Sequence, residues 1–235
     1  MPNAATTSND SMVPTNEILG NESNVDDEKK VITKRLTRIR TIASDLEESQ
    51  IIGREKERMD IVKLMSNQST QELPVISVWG MGGIGKTTLV KYVYQSQKII
   101  DMFEKTVCVM VMRPFNIKEL LKSLILQLLD VAIDFGGCIR KELTVMGVEE
   151  LMKELARLLQ GKRCLIVLDD LSSTAEWDLI KQSFPKMENT SCIIVTTREE
   201  KIAKHCSVKR ENIYKLEILE DKDALDLFTR KVVIV

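Results

Sequence analysis

The stretch Pro74-Val75-Ile76-Ser77-Val78-Trp79-Gly80-Met81-Gly82-Gly83-Ile84-Gly85-Lys86-Thr87-Thr88 decides the fold. It opens as a short β-branched run and passes through a loop holding four of the chain's ten glycines, Gly80, Gly82, Gly83 and Gly85. It then continues into a helical pattern over 87–97. Gly80–Thr87 fits GxxxxGK[ST]. Glycines permit positive φ and let backbone N–H groups come close to an anion. A helix starting at Lys86 adds the positive end of its dipole and the unpaired donors of its first turn. Lys86 offers a point charge to the β- and γ-phosphates of a nucleotide, Thr87 a hydroxyl to Mg2+, and Thr88 a donor to the α-phosphate. The competing reading is a glycine-rich turn with no ligand, which needs neither the lysine nor the strand-loop-helix setting.

Further runs extend this pattern along the chain. Lys105–Met112, Arg163–Asp170, Ser191–Thr197 and Asn212–Leu219 are strand candidates, most of them apolar almost throughout. Continuous apolar strands suit a parallel sheet covered on both faces. Helical patterns at 54–65, 117–129, 148–159, 199–205 and 221–230 alternate with them, so an α/β sheet with right-handed crossovers is expected. Asp134–Gly147 reads as an ordinary connector.

A Mg2+ ion held by Thr87 needs a second oxygen anchor, and Leu165-Ile166-Val167-Leu168-Asp169-Asp170 supplies one at the carboxyl end of a strand. Asp169 is expected to hold Mg2+, and Asp170 to orient or deprotonate an attacking water, or to serve only as a helix N-cap or turn residue. Arg198, closing Thr196-Thr197-Arg198, is placed to touch a γ-phosphate; its alternative is a surface ion pair with Glu199 or Glu200. No Asn-Lys-x-Asp tetrad occurs, which favours adenine over guanine.

Composition narrows the functions. With 34 Lys+Arg against 35 Asp+Glu the net charge is −1, and aromatics are 4%, so a nucleic-acid surface is not expected. The one histidine, His205, argues against multi-histidine metal sites and Ser-His-Asp hydrolases. The five cysteines (Cys108, Cys138, Cys164, Cys192, Cys206) form no CxxC and read as buried free thiols. No apolar run nears the ~20 residues of a membrane span and no secretory signal is visible, so a cytoplasmic protein is expected. Residues 1–27 read as a disordered leader. Residues 28–49 read as an amphipathic helix, with Ile32, Leu36, Ile39, Ala43 and Leu46 on one stripe and a basic remainder.

These elements together resemble the NB-ARC nucleotide switch of plant nucleotide-binding leucine-rich-repeat disease resistance proteins. Ile51-Ile52-Gly53-Arg54-Glu55 resembles its adenine-contacting entry motif, GMGGIGKTT its phosphate loop, LIVLDD its Walker B element and IIVTTRE its arginine sensor. Tyr214-Lys215-Leu216 with Asp223-Ala224-Leu225-Asp226-Leu227-Phe228 resembles the block that follows. The resemblance implies a P-loop NTPase three-layer sandwich over 50–235, with a five-stranded parallel sheet ordered 5-1-4-3-2. It implies an ATP/ADP switch with slow hydrolysis, Ile52 and Arg54 flanking adenine largely through backbone groups, and Arg198 as sensor. Residues 28–49 resemble the last helix of the family's coiled-coil domain, through which full-length receptor paralogues or signalling proteins would be contacted. The family's Gly-Leu-Pro-Leu and Met-His-Asp motifs and its repeats are absent before Val235, so a truncated receptor product is expected. Two other readings stand beside the switch: an autonomous P-loop ATPase or kinase, and a non-hydrolysing regulator of a full-length receptor.

Overall fold

The computed structural model describes residues 52–66, 73–129, 142–187 and 191–232, all within one unit, Ile42–Val235. The expected leader 1–27, the expected helix 28–49 and Cys138 lie outside the described residues. The elements in order are α1 (Glu55–Ser66), β1 (Val75–Trp79), α2 (Lys86–Gln95), α3 (Gln97–Met102), β2 (Lys105–Met110), α4 (Ile117–Leu128), α5 (Val148–Leu159), β3 (Cys164–Leu171), α6 (Thr174–Ser183), β4 (Cys192–Thr197), α7 (Glu200–Cys206), β5 (Ile213–Lys215) and α8 (Asp221–Val232).

The five strands form one parallel sheet in the order β2-β3-β4-β1-β5, the expected order read from the other edge. Alternation along the central strands sends side chains into two cores. Ile166 and Leu168 of β3 and Ile193 and Val195 of β4 pack with α4, α5, α6 and α7 on one face. Leu165, Val167, Cys192 and Ile194 pack with α1, α2 and α3 on the other. This two-sided burial is why those strands are apolar throughout. On α4, Leu120, Leu121, Leu124, Ile125 and Leu128 are all buried, each contributing about 2 kcal/mol of apolar transfer.

Several local expectations change. The helix expected over 87–97 ends at Gln95, where Ser96 turns extended at ψ 138°, and a short helix outside the expectation, α3, follows and buries Ile99. The fifth strand is three residues, not eight. It pairs with β1 alone, and after one more bond, Leu216 N–H to the Trp79 carbonyl at 2.8 Å, the chain leaves the sheet. The connector 134–147 contains a helical turn at 142–145 that buries Leu143 in the first core. Helix α6 was not anticipated, although Ser173 caps it by accepting the Glu176 N–H, a recognisable S-x-x-E start.

Candidate functional site

The loop after β1 lies at the carboxyl edge of the sheet, where ligands bind in such folds. Gly83 (φ 82°) and Gly85 (φ 96°) adopt left-handed conformations that a β-carbon would strain. At Gly80 the limit is space as well, since a β-carbon would stand 2.7 Å from the Leu216 carbonyl. The loop thus depends on the chain leaving β5. Lys86 is buried, 7% exposed, and its Nζ donates to the carbonyls of Gly80 (2.7 Å) and Met81 (2.8 Å). Burial lowers its pKa from 10.5; the Arg198 charge adds to this, and Asp170 and Asp169 oppose it. Helices α1, α4, α5, α6, α7 and α8 carry acidic residues in their first turns, whereas α2 and the short α3 have none and no side-chain cap. The positive end of the α2 dipole thus meets the glycine loop with no carboxylate of its own first turn to offset it. Thr88 is exposed on that first turn.

Asp169 ends the regular part of β3 and is 2% exposed. Its carboxylate accepts the Thr87 hydroxyl at 2.8 and 3.0 Å and the Thr196 hydroxyl at 2.5 Å. Thr196, at the end of β4, in turn accepts the Asp170 N–H at 2.9 Å. The β3–β4 register shifts between Leu168 and Leu171, which takes the two aspartates out of the β3–β4 ladder, while Asp169 stays paired with Met110 of β2. Asp170 has φ 62°, the one non-glycine with positive φ among the described residues. Its carboxylate lies 3.4 Å from Arg198 Nε. The alternative pairing of Arg198 with Glu199 or Glu200 is not what the structure shows. Arg198 leans over the loop, its Nη1 3.8 Å from where a β-carbon on Gly82 would be.

Thr87 and Asp169 present a hydroxyl and a carboxylate oxygen side by side, the hard donor set that Mg2+ takes together with phosphate and water oxygens. The donors present therefore fit the ion expected from the sequence.

Ile52 and Arg54 line a cleft of about 900 Å³ between the start of α1 and the segment from Tyr214 to α8. Arg54 is 6% exposed, and its guanidinium donates to the carbonyls of Ile84 (3.0 Å) and Glu217 (2.8 Å) and pairs with Glu57. Those bonds clamp the loop at Ile84 to the chain after β5. Gly53 (φ 71°) abuts Asp223 of α8 with no room for a β-carbon.

Sequence reasoning missed Thr196, which joins both aspartates, and the side chains of Arg113 and Glu176 beside them. Thr196 carries a detectable signal, a polar residue in an otherwise fully buried strand. Arg113 carries none, because its partners are distant in sequence.

A strand, a glycine-rich loop, a helix start with an inward lysine, and an acidic strand end two strands away define a P-loop nucleotide-binding protein. The NB-ARC domain model matches residues 54–234, and the chain belongs to that family. It is 31% identical to disease resistance protein RGA2 of Solanum bulbocastanum over 86% of this chain and 20% of that protein. It is 33% identical to late blight resistance protein R1-A of Solanum demissum over 78% of this chain and 13% of that protein. The chain thus spans about a fifth or less of the length of these relatives. Among solved structures, the Aeropyrum pernix ORC2 protein in ADPNP–ADP complexes aligns with TM-score 0.55 and 13% identity, over 78% of this chain and 52% of that one, a likeness of fold. No helix among the described residues is long and apolar enough to cross a membrane.

Proposed function

We propose that this chain is the adenine-nucleotide-binding module of a plant immune receptor, a switch between ADP- and ATP-bound states with slow ATP hydrolysis. The observation that carries the reading is the bond between Thr87 and Asp169, which brings residues 82 apart to 2.8 Å beside the lysine loop. Lys86 binds the terminal phosphates, exchanging two carbonyl acceptors for more basic phosphate oxygens. Thr87 and Asp169 hold Mg2+, which when bound screens phosphate charge. Asp170 orients or takes a proton from the attacking water, and Arg198 contacts the γ-phosphate. Thr88 meets the α-phosphate, and Ile52 and Arg54 border the adenine. The nucleotide-binding domain extends over 50–235, after the leader 1–27 and the amphipathic helix 28–49. That helix contacts full-length receptors or signalling proteins in the cytoplasm. Kinship with disease resistance proteins supports the defence setting.

Thermal unfolding with added nucleotide tests the reading. At 100 times its Kd, ADP should stabilise by about 2.7 kcal/mol, or roughly 5–10 °C for a domain this size. ATP should do likewise and guanine nucleotides much less. An equal response to GDP, or none to ADP, overturns it.

A further inference from the structure

A second arginine stands at the carboxyl edge of the sheet, outside the roles above. Arg113, just past β2, donates from Nη2 to the main-chain carbonyl of Asp170 at 2.8 Å. Its Nη1 lies 3.2 Å from Glu176 Oε1. Glu176, on the first turn of α6, is 9% exposed and accepts both the N–H and the hydroxyl of Ser172 at 3.0 Å. One arginine fork and one carboxylate therefore brace the main chain at 170 and at 172. The Thr196 hydroxyl holds the Asp170 N–H from the other side.

The braced residue is Asp170, whose left-handed conformation costs an aspartate a modest amount that the bonds around it offset. That conformation sends its carboxylate to Arg198. An exposed pair at 3.4 Å is too weak to fix itself. The fixing comes from the backbone side.

We propose that Arg113 and Glu176 form a latch that positions Asp170, and through it Arg198, and so sets how strongly the site prefers ATP to ADP. Neither residue touches the nucleotide; both act through Asp170. The proposal rests on the nucleotide-binding reading of the site. Released from the latch, Asp170 relaxes to an ordinary backbone conformation and Arg198 loses its orientation. Contacts to the α- and β-phosphates, made by the loop, are untouched. Lysine is no substitute for Arg113, because a single ammonium lacks the planar fork that reaches a carbonyl and a carboxylate together.

Calorimetric Kd values for ADP and for Mg–ATP, with melting temperatures, test this in wild type, Arg113→Met, Arg113→Lys, Glu176→Gln and the Arg113→Met/Glu176→Gln double variant. The ADP Kd should stay within about twofold, while the preference for ATP falls about tenfold in each single variant, as expected for loss of one oriented charged contact. The double variant should match the singles, and Arg113→Lys should not restore the preference. An unchanged ATP:ADP ratio in Arg113→Met and Glu176→Gln overturns the latch. So does a parallel loss of both affinities that tracks melting temperature, which marks a purely structural pair. A wild-type chain that binds neither nucleotide overturns the underlying reading instead.

Discussion

Replacing Thr196 by valine keeps side-chain shape and removes one hydroxyl, and that hydroxyl sits between both aspartates. It donates to Asp169 Oδ1 and accepts the Asp170 N–H, in a residue 1% exposed. A hydrogen bond to a charged acceptor contributes about 1.5–3 kcal/mol, and stranding a buried N–H costs about 1–3 kcal/mol. The Asp170 amide is only part-buried, so the lower ends apply and the sum is about 2.5 kcal/mol. For a domain of this size that lowers the midpoint of thermal unfolding by roughly 5–10 °C. Urea unfolding should show a lower midpoint with an unchanged slope. Thr196→Ser, which keeps the hydroxyl and drops a methyl, should lose only about 1 kcal/mol. A Thr196→Val loss no larger than that of Thr196→Ser would refute the bridge, and with it the buried acidic corner on which Mg2+ placement depends.

Two further outcomes follow from titratable groups. Burial lowers the Lys86 pKa below 10.5, so the free folded protein sheds that proton at lower pH than the unfolded chain. The folded state is thus relatively penalised below the folded value and gains as pH rises toward 10.5, while phosphate binding, which needs the ammonium, weakens over that window. ADP affinity measured from neutral pH upward should start falling below pH 10.5 in wild type and stay level in Lys86→Arg; a level wild-type profile contradicts the role of Lys86. Burial also raises the thiols of Cys108, Cys192 and Cys206 to about 12 and that of Cys164 to about 11. Native protein should therefore alkylate slowly at these four at neutral pH and rapidly in guanidinium, as read by peptide mass spectrometry; fast native labelling of any of them contradicts the packing.

What was legible in the sequence was local. β1, the loop and α2 follow one another without a gap, so the residues announced the geometry. The central strands β3 and β4 were visible because burial on both faces makes them apolar throughout. Strand β5 was drawn too long because the apolar residues after Lys215 leave the sheet, Leu216 becoming the floor under Gly80. Helix α3 carries too short a pattern to show: six residues with Ile99 alone buried, starting after an extended Ser96. In the site, Asp169, Asp170 and Arg198 could be named from motifs, but their partners could not. The Arg113–Asp170 contact spans 57 residues and the Thr196–Asp169 contact 27. Arg198 had acidic neighbours at 199 and 200, yet strand order brings Asp170 to it instead, because β3 and β4 are adjacent.

The central claim, that Lys86 and its loop hold a nucleotide's phosphates, is met most directly by calorimetric titration of ADP with Mg2+ into the wild-type chain and into Lys86→Ala. Saturable one-site binding in wild type that vanishes in a folded Lys86→Ala variant is the predicted result. Binding of equal strength in both would contradict it.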